Sequence, residues 1–381
     1  LIKTLTGKSL LDIFAGKTNT GGFLMEFRVL AINPGSTSTK IAVFDDDKEV
    51  FTKTLRHRSE DLEKLGGLLD QYDFRKNLVI EALEENNVAP ETLKAVVGRG
   101  GLIRPVKGGV YKVNEKMLTD LKNPNIWGRI HASNLGAFIA SSISKNLGIP
   151  AFIVDPVTVD EFDDIARVSG IPEIERKSLF HALNIRYTAR KIAKKLNLEF
   201  PKTNMIAAHM GGGISIAAIR QGRVVDVNNA LLGMGPFSPQ RAGALPIGDL
   251  IDLAYSGKYT KRELTSYLAK NAGWMAYLQT DNGVEIDKKI EQGDKKFKFY
   301  RDAMCYQIAK EIGACAAILE GKVDAIFLTG GLAFGDDLNN EIKKRVGFIA
   351  PLFVMPGENE MEALSQGAVH VLQGTEKAKD Y

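Results

Sequence analysis

The sequence predicts an α/β protein of two related halves, and three observations carry that prediction. Val29 to Phe44 places two apolar, β-branched runs around a polar turn, the composition of strand, tight turn and strand. The same plan returns at Met205 to Arg220. Around both hairpins, short β-branched runs alternate with longer segments of helical periodicity, as in sheets covered by helices. At 381 residues the chain exceeds one core of usual size, so two domains are expected.

Composition narrows the function classes. With 44% apolar and 25% charged residues the chain reads as a soluble globular protein rather than a disordered one. A net charge of +4, dispersed along the chain, argues against nucleic acid as a partner. No apolar run approaches the roughly 18 residues of a membrane span. Cys305 and Cys315 fall in one predicted helix with neither metal-ligand nor disulfide-framework spacing, which fits a reducing cytoplasm. Residues 1–24 read as an extension of uncertain origin, because Met25 stands directly before the first strand. Gly7-Lys8-Ser9 and Gly16-Lys17-Thr18 end like a phosphate-binding P-loop, but Ile2 and Leu11 stand where that motif needs its first glycine.

Taken in order, the opening turn Asn33-Pro34-Gly35-Ser36-Thr37-Ser38-Thr39-Lys40 gathers amides, hydroxyls and one ammonium, the groups that cradle a phosphate. Taken alone, the same turn equally suits an ordinary surface hairpin. Val50 to Leu55 reads as a strand, Leu62 to Glu85 as helical, and Leu93 to Val97 as a buried strand. That strand runs into Gly98-Arg99-Gly100-Gly101, where an arginine could grip a carboxylate or phosphate, or lie solvated on a turn. Leu135 to Leu147 is helical and stops at Gly148-Ile149-Pro150. Ala151 to Val154 is a strand ended by Asp155, which suits a magnesium ligand or a helix cap. Phe180-His181 leads into the helix Ala182 to Leu196, where a lone His is commonly a packing residue.

In the second hairpin, His209 falls where Asn33 does, and Gly211-Gly212-Gly213 where Gly35-Ser36-Thr37 do. The rigid Gly233 to Gly243 loop holds Arg241 like a fixed clamp. The strand Ala325 to Leu328 ends in the glycine turn Gly330-Gly331, which lets backbone approach a ligand closely. Arg301 to Leu319 is a long core helix after a charged Glu291 to Phe299, and Asn359-Glu360 precedes the last helix, Met361 to Leu372.

These motifs together resemble the acetate and butyrate kinase family, over about Glu26 to Gln373. Ile32 to Lys40 matches its first signature and His209 to Ser215 its second, while Asn-Pro-Gly-Ser-Thr-Ser-Thr-Lys and Gly-Pro-Phe-Ser-Pro-Gln-Arg-Ala-Gly resemble the butyrate kinase branch. The resemblance implies two ribonuclease H-like domains, residues 25–156 plus 361–381 and residues 157–360. Each is expected to be a mixed five-stranded sheet flanked by helices, with the active site in the cleft between them. It implies Mg2+-dependent, reversible transfer of the ATP γ-phosphoryl group to a short-chain carboxylate, in a homodimer or larger homo-oligomer formed through the second domain.

By the same resemblance Arg99 and Arg241 would bind the carboxylate and the moving phosphoryl group, and His181 would donate a hydrogen bond to it. Asp155 and Glu360 would hold Mg2+ directly or through water. Asn33, Ser36, Ser38 and Lys40 would face the phosphates from one side, with His209, Gly211, Gly212 and Gly213 on the other. Gly330 and Gly331 would lie against adenosine. Two departures are visible: Asn184 stands where acetate kinases carry a second His, and the Thr329 turn lacks their Gly-Glu-Asn. Gly100 and Gly101 replace bulky residues beside Arg99, which predicts room for a longer acyl tail lined by Ile130 and Phe180, hence butyrate or isobutyrate over acetate. The alternatives are an acetate or propionate kinase, and a nucleotide-gated binding module on the same scaffold.

Overall fold

In the computed structural model, which describes residues 26–128 and 130–381, both hairpins form and each seeds a sheet. The expected extension at residues 1–24 lies outside the described residues. Arg28–Pro34 (β1) pairs antiparallel with Ser38–Asp45 (β2), placing Asn33 opposite Lys40. Lys48–Arg56 (β3) continues the meander, and Ala95–Arg99 (β4) lies parallel to β1 on its other side. Val110–Lys112 (β5) and Ala151–Val154 (β6) complete the order β3-β2-β1-β4-β6-β5.

The second sheet repeats the first. Met205–Met210 (β7) and Ile214–Arg220 (β8) form its hairpin, with His209 opposite Ser215. Arg223–Val227 (β9) extends β8, while Ala325–Gly330 (β10) and Leu352–Pro356 (β11) add in parallel beyond β7, giving β11-β10-β7-β8-β9. Apart from β5 the two orders are the same. The expectation of five strands in each half is therefore corrected to six and five. The extra strand, only three residues long, shows no alternation of its own; it is held by antiparallel pairing with β6 and by Lys379 bridging at Tyr111.

Strand alternation sends each sheet's side chains to two cores. Leu30, Ile32, Ile41 and Val43 pack with the helices Tyr72–Glu85 and Leu135–Leu147, whereas Val29, Ala31, Ala42 and Phe44 pack with the last helix, Glu360–Leu372. In the second sheet Ile206, Ala208 and Met210 face the helices Lys295–Ile318 and Asp336–Val346. Met205, Ala207 and Phe327 face the helix Ala182–Lys195. That helix also sends Leu183 and Tyr187 into the core of the first sheet, so it is wedged between the halves. Two helical expectations shift. Leu62 to Glu85 is interrupted around Gly66 and Gly67, where φ of +89° at Gly66 stops the first helix, and the long helix starts earlier, at Lys295 behind the cap of Asp294.

Candidate active site

Strand ends, turns and one helix start bring the site residues together. Arg99 ends β4, Asn33 lies near the end of β1, and Glu360 opens the last helix. The Arg99 guanidinium pairs with one Glu360 oxygen, and the Asn33 amide donates to the other. Burial alone would push the Glu360 carboxyl up, but the charge and hydrogen bond of Arg99, with the Asn33 hydrogen bond, hold it below the usual carboxylate range. From the other half, Arg241 reaches over the β7–β8 turn and donates to the Ala230 carbonyl. A Cβ on Gly213 would lie 2.5 Å from the Arg241 Cζ, so the glycine is what admits the guanidinium. Ser238 fastens this loop, its hydroxyl donating to the Gly212 carbonyl at 2.6 Å and accepting from the Arg241 amide at 3.1 Å.

Two imidazoles stack between these arginines. The His181 and His209 rings lie 3.9 Å apart, inclined by 14°. Burial drives both to the neutral form: His181 falls well below its ordinary range, helped by His209, Arg241 and Arg99, and His209 falls to about 4. At His209, burial and the two arginines outweigh the opposing pull of Glu360. The tautomers follow from the partners. The Asn184 amide nitrogen donates to the carbonyls of Gly357 (3.2 Å) and Glu358 (2.6 Å), which leaves its oxygen to accept from His209 Nδ1 at 2.8 Å. The neutral His209 Nε2 is therefore a lone pair, suited to a guanidinium donor and not to a phosphate oxygen. A grip on phosphate by His209, the expectation from the sequence, would need that nitrogen to carry a proton. Ser215 Oγ lies 2.8 Å from His181 Nδ1 and accepts from the His181 amide at 3.4 Å. With Ser215 donating to Nδ1, the ring proton of a neutral His181 sits on Nε2.

Asp155 is the clearest departure from expectation. Only 1% exposed, its carboxylate accepts from the Gly109 amide at 2.7 Å and pairs with Arg186 at 2.8 Å and Arg190 at 3.2 Å. Its carboxylate is thus held by two guanidiniums, one of them shared with Glu161. The glycine argument about the acyl pocket is likewise overturned. A Cβ on Gly100 would meet Pro156 Cβ at 2.7 Å, and one on Gly101 would meet Asn134 Cα at 2.6 Å, so the missing side chains permit tight loop packing and open no cavity. Phe180 is buried in the core of the second sheet with Val159 and Ile185, and Ile130 is half-buried.

The remaining predicted residues fall at strand ends and turns. Ser36 and Lys40 are exposed and Ser38 half-buried, Gly211 and Gly212 form the second turn, and Gly330 sits at φ +88° against the Met210 backbone. A Cβ on Gly331 would meet open space. Glu358, beside Glu360, belongs to the acidic stretch before the last helix, which from the sequence suits the helix dipole or a metal. Surrounding protein and the Glu360 charge push its carboxyl up, against the pull of Arg99 and Lys40.

Arg75 was missed. Fully buried in the helix Tyr72–Glu85, it donates to the carbonyls of Gly35 (2.8 Å), Ser36 (2.9 Å) and Ser38 (3.0 Å), and to Thr39 Oγ1 at 3.1 Å. A signal existed: Arg75 shares the buried face of Val79, Ala82 and Leu83, where an arginine needs buried acceptors.

Among the described residues no group of three or more His, Cys, Asp or Glu side chains could hold a metal ion. A magnesium ion arriving on a nucleotide needs only one or two protein carboxylates, because phosphate and water oxygens fill the rest of its shell. Glu360 and Asp155 are both already paired, Glu360 with Arg99 and Asn33 and Asp155 with Arg186 and Arg190, so either would exchange a protein partner for the ion.

The acetokinase family pattern matches residues 173–349. Butyrate kinase 2 and butyrate kinase 1 of Clostridium acetobutylicum are each 51% identical to the chain, covering 94% and 93% of it and 100% and 99% of their own lengths. Among solved structures, acetate kinase from Porphyromonas gingivalis matches with a TM-score of 0.75 at 19% identity, over 90% of this chain and 99% of its own. Acetate kinase from Entamoeba histolytica matches with a TM-score of 0.72 at 18% identity, over 91% and 100%. These structural likenesses establish the two-domain fold. With half of its residues shared along nearly the full length of two butyrate kinases, the chain belongs to the acetokinase family.

Proposed function

We propose that the chain is a short-chain fatty acid kinase that transfers the ATP γ-phosphoryl group reversibly to butyrate or a branched acid such as isobutyrate, giving an acyl phosphate and ADP. The observation that supports this reading is the set of groups gathered at the strand ends: Arg99 paired with Glu360, Arg241 over the β7–β8 turn, and the stacked rings of His181 and His209. A carboxylate is already a nucleophile at neutral pH, so the site needs alignment and charge neutralisation and no general base. Arg99 and Arg241 supply both, each offering a planar fork to carboxylate or phosphoryl oxygens. His181 donates from Nε2 to an equatorial oxygen of the moving group, and Asn184 keeps His209 as an acceptor for the arginines. Mg2+, held with the nucleotide at Glu360, would neutralise phosphate charge. The turns at 33–40 and 211–213 take the phosphates from either side, and Gly330-Gly331 lies against adenosine.

The preference for butyrate or isobutyrate is supported by the names of the two relatives and no longer by the glycines beside Arg99. The two buried free cysteines fit a reducing cytoplasm. Homodimerisation through the second domain is supported by its exposed apolar residues Met234, Ile247, Ile251 and Tyr255, which a partner surface would cover. The deciding experiment is acyl-hydroxamate formation with Mg·ATP and acetate, propionate, butyrate, isobutyrate or valerate. The highest kcat/KM is expected on butyrate or isobutyrate, with overlap among neighbours because one methylene discriminates by only about 10- to 200-fold. A maximum on acetate would sink the substrate assignment, and no acyl phosphate from any acid would sink the kinase assignment.

A further inference from the structure

We infer that Arg75 is a positioning residue for the nucleotide, holding the 35–38 turn in the one form that presents its amides to a phosphate. This rests on the kinase reading and deepens it. In a planar trans peptide the carbonyl of one residue points opposite to the N–H of the next. The Arg75 guanidinium draws in the carbonyls of Gly35 and Ser36, so the amides of Ser36 and Thr37 turn outward. Among the described residues those two amides donate to no protein acceptor, and both residues are exposed. Successive outward N–H groups form an anion-binding concavity.

The brace is itself fixed. Gln71 Oε1 accepts from Arg75 Nε at 3.2 Å and Nη2 at 2.8 Å, and Thr39, which Arg75 also touches, lies 2.9 Å from His57 Nε2. Among the described residues Arg75 has no carboxylate partner; its acceptors are carbonyl and hydroxyl oxygens. A residue serving the core alone would not need to gather three carbonyls from one exposed turn. The ligand class is a nucleoside triphosphate, because the turn lies on the same strand end as Asn33, which is tied to Glu360 in the cleft.

The test is steady-state kinetics of Arg75→Lys with Mg·ATP and butyrate. Lysine keeps the charge and loses the planar fork. The KM for Mg·ATP is expected to rise by about tenfold or more, the scale of one or more lost net hydrogen bonds, while the KM for butyrate stays within about twofold. A variant with a lowered melting temperature and an unchanged Mg·ATP KM would show a purely structural role and overturn the inference. If Arg75→Lys does not fold, Gln71→Leu decides: it leaves the guanidinium in place but unclamped, and a rise of about threefold in the Mg·ATP KM supports the inference, while no rise overturns it. A wild-type protein without any acyl phosphate formation would instead fail the kinase reading, so the two failures are distinguishable.

Discussion

Replacing Gly213 with Ala isolates the contribution of Arg241 better than removing the arginine. The new Cβ would stand 2.5 Å from the Arg241 Cζ and 3.1 Å from the Ala230 carbonyl oxygen. Carbon atoms rest at about 3.5–4.0 Å, so the guanidinium must retreat by about 1 Å. It is the tip of a flexible side chain, so the backbone of the turn can stay in place. A misplacement of about 1 Å in a catalytic group costs roughly 100-fold in rate, equivalent to about 2.7 kcal/mol of barrier. The assay is acyl-hydroxamate formation from butyrate and Mg·ATP, run beside thermal unfolding. Gly212→Ala is the control, because its Cβ would meet only the end of Gln240, at 3.2 Å, and a much smaller loss is expected. If Gly213→Ala kept its rate within about threefold of wild type at an unchanged melting temperature, Arg241 would not act from the pose described, and the reasoning would be refuted.

Three further outcomes follow from the same geometry. His57 is buried and neutral, with its folded-state value lowered from 6.5 to about 4 by burial and the neighbouring Arg75. Its depressed value means that the unfolded chain takes up the proton first, so stability present above pH 6.5 should be lost as pH falls towards 4, by about 3 kcal/mol at most. His57→Gln should flatten that slope in urea melts at several pH values, and an unchanged slope counts against the assignment. Asp155→Asn should destabilise the fold by about 3–5 kcal/mol, the cost of breaking a buried ion pair, without changing the Mg2+ dependence of the folded fraction. A selective rise in the Mg2+ requirement would restore Asp155 as a metal ligand. Gly101→Ala should lower the melting temperature through overpacking of about 1–3 kcal/mol against Asn134, and leave the butyrate-to-acetate ratio of kcat/KM unaltered. A shift towards acetate in a folded variant would revive the pocket argument.

Local chemistry determined much of this protein in advance. The strand–turn–strand composition at Val29 and Met205, the stop at Gly148 and the strand Ala151 to Val154 depend on neighbours in sequence, and the structure has them where composition puts them. The repeated turn also announced the duplication, because each half folds its own hairpin and adds parallel strands beside it. What tertiary structure decided is where side chains find their partners. Asp155 reads alone as a metal ligand or a cap until the helix Ala182–Lys195 brings Arg186 and Arg190 against it. The glycines after Arg99 read as empty space until Pro156 and Asn134 occupy the directions their side chains would take. Arg75 lies on the apolar face of its helix, but which acceptors it meets is decided only when the 35–38 turn folds over it. In each case the residue type sets which partners are chemically suitable, while long-range packing, through burial and the direction of Cβ, sets which of them is within reach.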